Sequence, residues 1–96
     1  MSWAVEVQQP AEKELVALPS QVRKRIARAL RALKDNPFPH GVKKLKARDG
    51  YRIRVGDYRI LFRVDRDARI VWVGAIGQAK TFIANYRRLA ASFSRP

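Results

Sequence analysis

The chain has 96 residues and carries 21 lysines and arginines against 8 acids, a formal charge of +13. It contains no cysteine, which excludes disulfide frameworks, thiolate zinc sites and a cysteine nucleophile. A chain of this length is expected to form one domain, residues 1–96, that buries roughly two-thirds of its unfolded surface without metal or disulfide support.

Self-repulsion at such a charge weakens the compact state unless a polyanion or an acidic partner offsets it. Nucleic acid is the leading partner class and an acidic protein the second. A membrane surface ranks third, because the charge is spread along the chain and not gathered on one amphipathic helix. The opening MSWAVEVQQP has neither a basic start nor a long apolar run, so no signal peptide is expected. No apolar segment nears the ~20 residues of a membrane span. The expected setting is cytoplasmic.

In chain order, Trp3, Val5 and Val7 alternate with Ala4, Glu6 and Gln8, which reads as a first strand. Pro10 opens a helix at its first position, where a missing N–H costs little, and that helix ends at Pro19. Ser20 is placed as the N-cap of a second helix. There Val22, Ile26, Ala29, Leu30 and Leu33 recur at helical spacing as a buried stripe. Arg23, Lys24, Arg25, Arg28, Arg31 and Lys34 fill the remainder and read as a solvated face whose summed field steers anions.

Residues 36–41, NPFPHG, break the pattern as a loop. Residues 42–47 suit a short strand, and residues 51–64, YRIRVGDYRILFRV, a two-stranded hairpin. A turn over residues 65–68 leads into IVWVGAI, a continuous apolar run expected to be a central strand covered on both faces. A terminal helix is expected over residues 80–93, with Phe82, Ile83, Tyr86, Leu89 and Ala90 on one side. The fold class is α+β, an N-terminal strand and helical hairpin packed on one face of an antiparallel meander, with a C-terminal helix.

The hairpin carries the sharpest signal. Gly56-Asp57 at its tip suits a two-residue type II′ turn, which sets Val55 opposite Tyr58, Arg54 opposite Arg59 and Arg52 opposite Leu61. Alternation then puts Tyr51, Ile53, Val55, Tyr58, Ile60 and Phe62 on one side and Arg52, Arg54 and Arg59 on the other. Like charges set opposite one another destabilise a sheet by about 0.2–1 kcal/mol per pair. No acid within the alternation neutralises them, and Lys43, Lys44, Lys46 and Arg48 extend the positive field. Phosphate is the natural counter-ion, because guanidinium presents a planar fork that grips two oxygens.

Other candidates carry less. His40, the single histidine, sits in a loop and reads as a bystander. The acids show no ligand spacing, so no metal is expected, and no Ser-His-Asp set assembles around one loop histidine. Residues 74–77, GAIG, do not match a phosphate-binding glycine loop. Trp72, Phe62 and Tyr58 lie on apolar strand faces and are expected in the core. Tyr51 is either a core residue or a strand-edge aromatic on which a base stacks.

With these residues in place, KKLKARDGYRIRVGDYRILFRV closely resembles the central hairpin of the RelE/ParE toxin superfamily. The shared pattern is a Lys-Leu-basic element, a basic-apolar-basic strand, then Gly-Asp-Tyr-Arg. The resemblance spans most of the chain, and it implies a compact ribonuclease-like α+β fold encoded beside an antitoxin. RelE-type members cut mRNA in the ribosomal A site through attack of the RNA's own 2′-OH, with no metal or other cofactor. ParE-type members look similar but poison DNA gyrase and lack the basic catalytic set.

Carried over by position, Arg52 and Arg54 match the two basic strand residues and Arg59 the hairpin arginine. An arginine is expected two residues after Gly77, where this chain has Ala79, and Lys80 stands one place further on. A tyrosine is expected where Asn85 falls, and Tyr86 follows it. The resemblance therefore assigns Arg52, Arg54 and Arg59 to the scissile phosphate. Arginine stays protonated, with a pKa above ~12, so proton transfer falls to Tyr86, Lys80, the ribosome or water. Nearby cations favour a phenolate, which puts Tyr86 first.

The implied partners are an acidic antitoxin, bound in a hetero-oligomer, and mRNA on the ribosome, with DNA gyrase as the alternative. An antitoxin helix would lie along the sheet or displace the terminal segment FIANYRRLAASF. A catalytically weakened toxin that binds antitoxin and RNA without cleaving, and a basic nucleic-acid-binding module without toxicity, are the remaining classes.

Overall fold

The structure is a computed structural model that describes residues 2–46 and 49–78. The elements run β1 (Ala4–Val7), α1 (Gln9–Val16), α2 (Ser20–Asp35), β2 (Lys43–Lys44), β3 (Tyr51–Val55), β4 (Tyr58–Asp65) and β5 (Ile70–Gln78). The terminal helix expected over residues 80–93 lies outside the described residues.

The strands form one five-stranded sheet in the order β1-β5-β4-β3-β2. Its β2-β3-β4-β5 part is the expected antiparallel meander. The sheet as a whole is mixed, because β1 pairs with β5 in parallel, Val5 beside Val71 and Val7 beside Val73. This corrects the wholly antiparallel expectation. A parallel pair needs a long crossover, and here the two helices and the meander lie between the partners.

Both helices pack on one face of the sheet. Ala11 from α1 and Ile26, Leu30 and Leu33 from α2 meet Ile60, Phe62, Val71, Val73 and Ile76 in one buried cluster. Each fully buried large side chain there contributes about 1.5–3 kcal/mol relative to exposure. The stripe read from α2 therefore forms the centre of the core. Its outer positions, Arg23, Lys24, Arg25, Arg28, Arg31 and Lys34, are all exposed.

Helix ends and short strands differ from expectation. Pro10 sits one residue inside α1, which starts at Gln9 and stops at Val16, before Pro19. Pro19 takes the N-cap position of α2, so Ser20 is already helical and makes no capping bond. Backbone set extended by proline serves as the helix entry instead. β2 is two residues long, shorter than the 42–47 segment.

β5 lies between β1 and β4, as its apolar run suggests. Leu61 pairs with Ala75 and Phe62 with Val73, so Gly74 is an extra residue, a bulge that shifts the alternation. Val71, Val73 and Ile76 consequently face the helices together. Trp72 pairs with Arg63 and Glu6 on the opposite face, and it is half-buried there instead of lying in the core. Beyond Val73 the edge of β5 runs past β1, and the Glu14 carboxylate of α1 accepts the Ile76 N–H at 3.1 Å.

The loop after α2 is shaped by Asn36, whose Oδ1 accepts the Phe38 N–H at 2.9 Å. That turn sets Phe38 edge-on to Tyr51, with centroids 5.1 Å apart, and Tyr51 stacks at 5.8 Å on Phe62. Tyr51 is thus a packing residue between two aromatic rings, not a free stacking platform.

Candidate nucleic-acid interface

The hairpin register is the one its turn dictates. Gly56 has φ +60°, whereas among the described residues Arg69 alone is a non-glycine with positive φ, so Asp57 does not share it. Positive φ at the first central position only is the type II′ pattern, whose twist matches that of the flanking strands. Val55 faces Tyr58, Arg54 faces Arg59, Ile53 faces Ile60, Arg52 faces Leu61 and Tyr51 faces Phe62. Ile60 and Phe62 are buried under the helices, so Arg52, Arg54 and Arg59 project together from the other face.

Neighbouring strands extend that face. Lys43 pairs with Arg52 and joins it, whereas Lys44 pairs with Tyr51 and belongs to the helix-covered side. Lys46 is exposed in the turn after β2. Arg48, Ala79, Lys80 and Tyr86 lie outside the described residues. Arg63, two positions beyond Leu61, falls on the same face as Arg59 and was not singled out from sequence. The signal was present, since the alternation that selects Arg59 selects Arg63 as well.

Across the sheet the face has two rows. One is Arg54, Arg59 and Gly77, so a residue without a side chain flanks the arginine pair. The other is Lys43, Arg52, Leu61 and Ala75, whose last two members are buried and form an apolar base.

Electrostatically the face is unbalanced. Among the described residues no carboxylate is paired with Arg52, Arg54 or Arg59. Asp65 is occupied by the Ala68 N–H at 3.0 Å, and Glu14 is turned to Ile76. The Arg54 Nε donates to the Gly56 carbonyl at 2.9 Å, which steadies the guanidinium and leaves its terminal nitrogens to meet a ligand. Nη1 of Arg59 and Nε of Arg63 are shielded from solvent, and no acceptor meets them among the described residues. Unneutralised guanidinium donors on one face, beside an apolar base, suit an anion with several oxygens. Among the described residues no group of histidine and acidic side chains is arranged to hold a metal, and His40 is exposed in its loop. No helix of the described residues is long and apolar enough to cross a membrane.

This fold is shared with known toxins. Residues 5–81 match the family described as the ParE toxin of the type II toxin–antitoxin system, parDE. A curated protein of Methanocaldococcus jannaschii, named "Putative toxin RelE1", is 33% identical over 81% of this chain and 91% of its own length. The toxin–antitoxin complex RelBE2 from Mycobacterium tuberculosis contains a similar structure, with a TM-score of 0.74 at 21% identity, covering 81% of this chain and 99% of that one. The intact RelBE complex of E. coli contains another, with a TM-score of 0.72 at 25% identity, covering 81% and 98%. The chain belongs to the RelE/ParE superfamily, toxins of type II toxin–antitoxin systems.

Proposed function

We propose that this toxin acts as a metal-independent endoribonuclease that cleaves mRNA in the ribosomal A site. The observation that supports this most is the opposition of Arg54 and Arg59 without a carboxylate partner. A phosphodiester between them converts repulsion into a bidentate grip from each side. Arg52 reaches the same face from the next position along β3. Together the three hold the scissile phosphate and stabilise charge that develops on its oxygens as the 2′-OH attacks. Preorganised donors of this kind are often the largest catalytic contribution. Proton transfer falls to Tyr86 or Lys80, or to the ribosome or water. Lys43 guides the flanking RNA, with Lys44, Lys46 and Arg48 adding to the field.

The partner is a cognate acidic antitoxin; relatives with this fold were crystallised in toxin–antitoxin complexes. Its acidic segment neutralises the basic face in a hetero-oligomer.

A second reading is favoured by the family model itself, which describes ParE toxins, and by Ala79 where the resemblance expects arginine. In that reading the protein poisons DNA gyrase. Mapping mRNA 5′ ends shortly after induction separates the two. The nuclease reading requires new ends inside translated codons that vanish in Arg54→Ala and Arg59→Ala variants. Failure of supercoiling while translation continues, with no new ends, replaces it with the gyrase reading.

A further inference from the structure

Resting on the RNA-binding reading of the arginine face, we propose that a second phosphate-binding track runs along α2 and joins the first around the β3–β4 turn. Gly56 is where they meet. From β3, Arg54 donates its Nε to the Gly56 carbonyl. From α2, the Arg25 guanidinium reaches the same glycine, with Nη1 3.5 Å from where a Cβ would stand. Cations from the helix layer and from the far face of the sheet thus converge on one turn, and the positive surface is continuous around its tip. Asp57, the next residue of the turn, is exposed.

Behind Arg25, the side chains of Arg28, Arg31 and Lys34 follow at three-residue intervals, all exposed. Residues so spaced are neighbours on a helix. Each three-residue step falls about 60° short of a full turn, so the four wind diagonally across the exposed side of α2 while rising roughly 13.5 Å along its axis. Arg23 stands apart from it, since its Nη1 donates to the Val16 carbonyl at 3.3 Å. No acid interrupts the ridge: α2 has none in its first turn, and Asp35 closes its end. Ordinary solvated surfaces intersperse both signs, and neighbouring like charges on a helix oppose its stability. The ridge therefore repeats on a helix the imbalance that the hairpin shows on a sheet.

The occupant is an RNA sugar–phosphate backbone. A protein helix seated here would need apolar anchors, and the exposed residues of α2 outside the cations are Ser20, Gln21, Ala32 and Asp35. Phosphates need only the cations. A strand held at Arg54 and Arg59 has a charged path past Gly56 onto Arg25 and Arg28.

The test uses the full chain and end-labelled 2′-O-methyl RNAs of two lengths, 5-mer and 20-mer, which bind but cannot supply the attacking hydroxyl. Binding is followed by fluorescence anisotropy across a salt series. R25Q/R28Q keeps good helix formers at exposed positions, and circular dichroism checks the fold. The expected result is unchanged 5-mer binding and weaker 20-mer binding, with the salt slope reduced by about 1.4, two single-strand phosphate contacts. R25K/R28K restores the slope. Unchanged 20-mer binding by R25Q/R28Q overturns the track, as does equal loss on both lengths. Loss of binding to a 20-residue polyglutamate with RNA binding intact also overturns it and assigns the ridge to a protein partner. The sheet-face reading fails separately, if R54Q/R59Q binds both RNAs as the parent does. A parent that binds neither RNA ends both.

Discussion

Arg54 and Arg59 stand directly opposite each other across the β3–β4 ladder, and no described carboxylate is paired with either. The pair opposes folding by about 0.2–1 kcal/mol, so Arg59→Gln should raise the thermal midpoint, by roughly 1–8 °C for a domain of this size. The gain should shrink in 1 M salt, where the screening length falls to ~3 Å. The same variant should lose about 10²–10³ in mRNA cleavage on translating ribosomes. Calorimetry and a cleavage assay on one preparation check both signs. A lower midpoint would make Arg59 a residue of the fold.

Gly56→Ala tests the turn. A Cβ would meet Arg25 at ordinary contact distance, so crowding is slight, but φ +60° is a backbone state that L-residues resist. The expected cost is about 1–2 kcal/mol, read as a shift of the urea midpoint with unchanged slope. Since Arg54 is steadied by the Gly56 carbonyl, cleavage should fall by more than stability alone explains.

Glu14 ties α1 to the part of β5 that β1 does not reach. Hydrogen bonds to charged groups contribute about 1.5–3 kcal/mol, and Glu14→Ala should lose an amount of that order in urea unfolding. Glu14→Gln keeps an acceptor oxygen and should lose less. Equal losses would show that the charge, not the bond to Ile76, matters.

Phe62 is fully buried and stacks on Tyr51. Phe62→Ala should cost about 3–5 kcal/mol, a large share of a domain's ~5–15 kcal/mol. Hydrogen exchange should show protection lost through β4 and β5 together. Arg63→Ala, one residue away on the opposite face and half-buried, should cost less by the same measurement.

Much of this was legible in the chain because the strongest signals were local. Gly56-Asp57 selects a turn, the turn selects a register, and period-two alternation then assigns every side chain of β3 and β4 to a face. The stripe of α2 was legible for the same reason, with period 3.6. The parallel seat of β1 was not, because nothing between Ala4 and Val7 encodes which strand, more than sixty residues away, becomes the neighbour. Trp72 was misplaced because a continuous apolar run carries no alternation, and the Gly74 bulge then shifts the phase. Lys44 was grouped with Lys43 by adjacency, although adjacent strand residues point apart. Arg63 was overlooked although the rule that found Arg59 covers it.

The opposed faces of β3 and β4 have an evolutionary corollary. Inward letters of the two strands, with buried Leu61, hold the chain folded, and the outward arginines are left to meet other molecules. A lineage can rewrite the outward arginines while the inward set is left untouched. Such separability gives one small scaffold room to change what it binds without refolding.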